Sequence, residues 1–208
     1  MGVETSLFAL PESCSLLEAA KGSDEQAEWL SCIPIWLEDF GDEHPPQLND
    51  LRPRPTPWQN WRIQQFQAPF YAPFRKIWSE YINLRKEHPG LETRYCEGSK
   101  MWTRLTNILP KREIAFNGSK QDLSWRCVHG VVSLSADRIT ASNPSEMVLE
   151  IAIYLNDVTA EQLDTKNLTY HSFGYDDQEM DNLKEYFTRL QKFYYASADH
   201  GEAIVTYY

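Results

Sequence analysis

No apolar run in this sequence approaches the roughly 20 residues a bilayer-spanning helix needs, so a helical membrane span is excluded. There is no Walker sequence, Gly-rich phosphate loop, G-x-S-x-G elbow or H-E-x-x-H pair. Their absence removes the signatures of several common enzyme classes and leaves no catalytic motif to build on. The four cysteines, Cys14, Cys32, Cys96 and Cys127, form no C-x-x-C pair, and no histidine stands at zinc-ligand spacing from them. Neither a metal nor a cofactor is therefore expected. Residues 1–10 contain Glu4 and neither Lys nor Arg, unlike a secretory leader. Reduced thiols and a cytoplasmic location are the expectation, in which case the sequons at Asn117 and Asn167 go unused. Internal repeats and low-complexity tracts are also missing.

What is present is globular. The chain has 208 residues, 42% hydrophobic and 13% aromatic, enough for one domain with a sizeable core. The formal net charge of -10 is uneven: residues 1–50 carry -10, 51–86 carry +6, 87–145 carry +2 and 146–208 carry -8. An acidic chain repels nucleic acid at long range, so no nucleic-acid binding is expected. The basic stretch either pairs with the protein's own acidic ends, the reading with more weight, or presents a local basic surface.

The hydrophobic spacing predicts alternating elements. Residues 3–10 read as a strand. Ser13 is the expected cap of a helix carrying Leu16, Leu17 and Ala20, and Ser23 with Gln26 resembles a capping box. Residues 41–73 hold seven prolines, with Trp58, Trp61, Phe66, Phe70 and Tyr71 among them. Such a density forbids a long helix or central strand, while the aromatics argue against simple disorder. An ordered, irregular arm is expected. Pro73 then suits the first turn of a helix with Phe74, Ile77, Trp78, Tyr81 and Ile82 on one face, ending before Pro89. Ser99 caps a further helix, residues 112–116 read as a short strand, and Asn117-Gly118 as a turn. Residues 122–134 fit helix and strand equally. Asn143-Pro144-Ser145-Glu146 predicts a helix with Asn143 as its cap. Thr159 with Gln162 predicts a second capping box. The longest helix carries Leu183, Phe187, Leu190, Tyr194 and Ala198 and closes at Gly201. Ala203 to Tyr208 is a terminal strand, for which the strand near residues 3–10 is the candidate neighbour. The fold class is α+β: a single domain with a mixed or antiparallel sheet, helices on one side of it, and the inserted arm.

The last third carries a family resemblance. Ile139-Thr-Ala-Ser-Asn-Pro-Ser-Glu-Met, then Glu150-Ile-Ala-Ile-Tyr-Leu and Val158-Thr-Ala-Glu-Gln-Leu, resembles the YfbM-like family of bacterial proteins. The long helix with its aromatic pair and the ending His200-Gly-Glu-Ala-Ile-Val-Thr-Tyr-Tyr are similar to it as well. So are the Met-Gly opening and Trp125-Arg-Cys-Val-His129, although Gly130 replaces a usually bulky residue. The resemblance covers residues 1–37 and 120–208, and residues 41–95 look like an insertion. It implies an α+β domain of unknown function and no particular reaction.

Two constellations stand out. Arg52, Arg54, Trp58, Trp61 and Arg62 combine the residue types that dominate binding hot spots with prolines that lower the ordering cost of binding. They form either an interface for a protein partner or the pins that hold the arm to its core. Trp125 and His129, at i and i+4, share a helix face. They make either a small-molecule pocket with His129 as acid or base, or a buried Trp packed on a hydrogen-bonded His. The packing reading weighs more, because no nucleophile or carboxylate stands at a known catalytic spacing. Asp176, Asp177, Glu179 and Asp181 read as a solvated helix start rather than a cation site, and His171, Tyr175 and Asp176 form a weak loop cluster. A non-catalytic interaction module is the leading expectation, and a small-molecule binder or enzyme at Trp125 and His129 the alternative.

Overall fold

A computed structural model of the chain describes residues 5–40, 61, 64, 66–137, 139–163 and 177–207. Its centre is a five-stranded sheet of order β2-β1-β7-β6-β5. These strands are β1 (Thr5–Pro11), β2 (Tyr95–Ser99), β5 (Val132–Ser133), β6 (Thr140–Asn143) and β7 (Glu202–Tyr207). Every pairing is antiparallel. The two ends of the chain are central neighbours, with Ser6 opposite Tyr207 and Pro11 opposite Glu202. A separate hairpin joins β3 (Glu113–Phe116) to β4 (Ser119–Asp122). Its turn is Asn117-Gly118, with φ of 47° and 75°, the twist that two-residue hairpin loops favour. The architecture is an α+β single domain.

Helices cover both faces of the sheet, not one. Residues 5–10 of β1 and 202–206 of β7 are all buried. Successive strand residues point to opposite faces, so each face must be roofed. Tyr207 faces Asp24 and Glu28 on α2 (Asp24–Ser31). The adjacent Thr206 lies beside Gly130 on the other face. The expectation of one helical layer failed because strands buried on both faces read as continuous apolar runs, without the alternation that marks a wet face.

The local starts follow side-chain chemistry, with two corrections. Ser23 caps α2 by accepting the Gln26 N–H. Pro73 stands in the first turn of α4 (Ala72–Glu87), which follows α1 (Ser15–Gly22) and α3 (Ile33–Phe40) in the described order. Ser99 Oγ accepts from Met101 N at 3.1 Å at the start of α5 (Met101–Ile108). Gln162 Oε1 accepts the Thr159 N–H at 2.8 Å, completing the expected capping box. Ser13, however, does not cap α1; that position is Cys14, without a side-chain bond. Asn143 does not cap α7 (Ser145–Asp157) either. It closes β6 and turns inward, its amide donating to Arg126 O at 2.8 Å and Tyr194 Oη at 3.0 Å. The Ser145 N–H at the helix start is satisfied from far along the chain, by Glu12 Oε2 at 2.5 Å. A carboxylate there also complements the helix dipole.

Residues 122–134 resolve as both alternatives in succession. The helix α6 (Leu123–His129) ends at Gly130, and β5 begins two residues later. Gly130 has φ of 64°, and a Cβ there would stand 2.9 Å from Ala141 Cβ and 3.0 Å from Thr206 Oγ1. Only glycine fits both the backbone and the space. The long helix α8 (Asp177–Asp199) buries Leu183, Phe187, Leu190 and Tyr194 and turns at Gly201 into β7.

One ion pair sits inside this frame. Arg94 Nη2 lies 2.6 Å from Glu202 Oε1, with side chains only 8% and 3% exposed. Gly90 leaves room for the guanidinium, since a Cβ there would approach Arg94 Nη1 to 2.8 Å. Removing one partner strands a buried charge. Arg94→Met alone is therefore expected to cost about 3–5 kcal/mol in urea unfolding. The double variant Arg94→Met/Glu202→Leu should cost clearly less. Equal losses in the two would mean that the charges do not act on each other.

Candidate functional site

Of the arm cluster, Arg52, Arg54, Trp58 and Arg62 lie outside the described residues, as do His171, Tyr175 and Asp176. Trp61 is described and is 45% exposed. The arm's C-terminal end is fastened by rings. Phe66 packs on Trp36 of α3 at 4.8 Å and edge-on to Phe74 of α4 at 5.8 Å. Arg75 donates from Nη1 to Phe66 O and, at 2.9 Å, to Ala68 O, and its guanidinium lies 6.0 Å from the centre of the Phe66 ring. Two carbonyls and a ring face held by one cation fix the backbone locally. Just beyond, Trp29 of α2 receives Tyr71 at 5.2 Å and Phe70 at 5.4 Å. Phe70 nevertheless remains 75% exposed. The underside of this end is pinned to the core by Phe66, Tyr71 and Arg75, residues outside the Arg/Trp cluster to which the sequence reading gave that role, while Phe70 and Trp61 are partly exposed.

The part played by Arg75 and Phe70 was missed at the level of sequence. Phe70 belongs to the same aromatic series as its buried neighbours, and no spacing rule separates the ring that packs from the ring that protrudes. Along α4, Lys76 and Lys86 are exposed. Arg85 lies 5.9 Å from the centre of the Tyr81 ring, and Ser15 of α1 donates to Glu80.

Trp125 and His129 do share a face of α6, stacked with ring centroids 3.7 Å apart and planes at 27°. Asp122 caps the helix through the Ser124 N–H at 3.0 Å. Arg126 spans its end, donating to Gln121 Oε1 and Gly130 O, both at 2.7 Å. The Trp is outermost: Trp125 is 45% exposed and shields His129, which is 5% exposed. A buried Trp was expected; the histidine is the buried member instead. Burial, followed by the nearby Arg126 charge, lowers the imidazole pKa from 6.5 to about 4. His129 is thus neutral at ordinary pH and a weak base.

A cavity of about 230 Å³ opens between α2 and the β5–β6 connection, lined in part by Asp24, Glu28, Asp137 and Tyr207. Two of its carboxylates tie down the β5–β6 connection. Asp24 Oδ1 accepts the Ala136 N–H at 3.0 Å, and Asp137 Oδ1 accepts from Ser135 Oγ at 2.6 Å and Ile139 N at 3.0 Å. Those bonds hold the Asp137 carboxyl below its usual pKa. Among the described residues, no group of His, Cys, Asp or Glu is arranged to hold a metal ion, and no helix is long and apolar enough to cross a membrane.

With the sheet, its two helical layers and these surfaces in view, the class of protein is an α+β domain without an assigned reaction. The chain matches the family described as Domain of unknown function (DUF1877) over residues 1–207 and belongs to that family. The match runs through residues 41–95, beyond the two stretches that carried the resemblance seen in the sequence. No curated protein and no solved structure matches the chain.

The lowered pKa of His129 links to stability with a definite sign. A base whose folded pKa lies below its unfolded value contributes fully above about pH 6.5, and that contribution is lost as pH falls toward about 4. Thermal melts should show His129→Phe, which keeps a ring for the Trp125 stack, losing less stability over that interval than the wild type. Parallel losses would show that His129 does not carry this part of the acid sensitivity.

Proposed function

We propose that this protein is a non-catalytic interaction module whose partner docks on the Pro/Trp/Arg-rich arm. The observation that carries the reading is the large exposed ring surface of Phe70 on a segment held from beneath by Phe66 and Arg75, with Trp61, partly exposed, five residues before Phe66. Rigid exposed aromatics offer contact area at low ordering cost, the property of interface anchors. Arg52, Arg54, Trp58 and Arg62 extend the same residue chemistry along the arm, and the exposed Lys76 and Lys86 of α4 favour an acidic or aromatic-accepting protein partner. The reading takes residues 41–95 as an insertion in one domain. It assigns the chain to the YfbM-like bacterial branch of its family and to the cytoplasm.

A second reading, a small-molecule site at Trp125 and His129, is favoured by one observation, the exposed Trp ring stacked on an imidazole. Against acid–base chemistry there stands the imidazole itself, which is covered and barely basic.

The test is a quantitative pull-down with two double variants, Trp58→Ala/Arg62→Ala and Trp61→Ala/Phe70→Ala. Each is expected to weaken partner capture at least about tenfold, since anchor residues contribute about 2 kcal/mol or more apiece. The melting temperature should move little. An unchanged partner set in both variants, with the fold intact, rules out the arm as the interface.

A further inference from the structure

The groove between α7 and α8 is the second unclaimed surface, and its chemistry is opposite to that of the arm. The two helices run antiparallel. Gln191 Nε2 of α8 donates to Leu155 O at 2.8 Å and Val158 O at 3.3 Å at one end, and Asp199 faces Leu149 across a cavity of about 450 Å³ at the other. The inward stripe of α7, including Met147, Val148, Ile151 and Leu155, is fully buried. Leu149 and Ile153 are extra. They stand at i and i+4 off that stripe, about half exposed, and meet Tyr195 of α8, which is 69% exposed. Single exposed apolar residues are ordinary. Three large ones around one concave site form a patch of the kind that marks an interaction surface.

Charge selects the occupant. Asp199 lines the groove, and the exposed Glu146 and Glu150 stand one turn before Leu149 and Ile153 on the same flank of α7. The last turn of α8 carries no basic residue, so its negative dipole end adds to Asp199. Lys192, exposed on α8, stands three residues before Tyr195. A second copy of this chain in a two-fold contact would bring the same carboxylates against each other, and an anionic lipid surface would meet the same repulsion.

We infer that this groove binds an amphipathic helix of another protein, with apolar residues at i, i+4 and i+7 and flanking Lys or Arg. The apolar stripe seats on Leu149, Ile153 and Tyr195, and the cations face Glu146, Glu150 and Asp199. Such a helix lies as a third rod against an antiparallel pair, the helix-in-groove mode of recognition.

The test uses the full chain and labelled synthetic peptides of about 18 residues, long enough for several helical turns. One is a Leu/Lys amphipathic helix, one has the same pattern with Glu for Lys, and one is the Leu/Lys composition scrambled. Fluorescence anisotropy is expected to show saturable binding of the first, at least about tenfold tighter than the other two. Leu149→Ser/Ile153→Ser should weaken it about tenfold. Glu150→Lys/Asp199→Lys should reverse the preference between the Lys and Glu peptides. All four positions are at the surface, and thermal melts verify that the variants fold. Equal binding of the Lys helix and its scramble, or no reversal of preference in a folded charge variant, overturns the proposal. So does sedimentation showing a dimer of the chain that Leu149→Ser/Ile153→Ser dissolves, because the groove then belongs to a second copy.

Discussion

Arg94 is the point at which three distant parts of the chain are held together. Its carbonyl accepts the Ala9 N–H of β1 at 3.0 Å, and its guanidinium grips Glu202, the first residue of β7, inside the core. Glu202 in turn lies opposite Pro11 at the end of β1. The N-terminal strand, the C-terminal strand and the segment leading into β2 are thereby locked in one register. A slip of one residue would flip every side chain of a strand to the wrong face and would also separate two desolvated charges. Such a pair adds little net stability over an apolar substitute. Its physical effect is to make alternative registers costly.

The layers follow from that register. With β1 and β7 buried on both faces, α1 to α4 and the pinned end of the arm lie toward one side, and α6 to α8 toward the other. On the second side a short polar network ties the layers together. Asn143 bonds Tyr194, and Tyr194 donates to Cys127 O at 2.9 Å. Gly130 lets α6 turn back beneath β6 without a clash. The network is fully enclosed, and burial raises the Tyr194 and Cys127 pKa values well above their ordinary ranges. Both groups stay neutral and act as parts of the structure.

What the fold leaves outside is as informative as what it covers. On one side stand aromatic rings on a fastened segment near a helix with exposed lysines. On the other stands an apolar groove edged by carboxylates. The chain is strongly acidic overall but basic over residues 51–86, so the two chemistries are separated along its sequence. The Trp125–His129 stack lies between readings: its outer ring is partly exposed, while burial covers its inner ring and lowers its basicity.

Features that depend on neighbours within a few residues are legible along the chain. Ser23, Thr159 with Gln162, Pro73, Asn117-Gly118 and Gly201 each satisfy or break backbone hydrogen bonds locally, and the structure has them where the sequence implies. The pairing of the chain ends was readable too, because a terminal strand needs a partner and few were on offer. Long-range packing settled the rest. Glu12 rather than Asn143 meets the start of α7 because a fold can bring a better acceptor from 133 residues away. Which of two stacked rings is buried, which arm aromatic protrudes, and that Leu149 and Ile153 stay in water are set by what packs above them. Periodicity assigns a residue to a helix face; only the assembled layers determine whether anything covers that face.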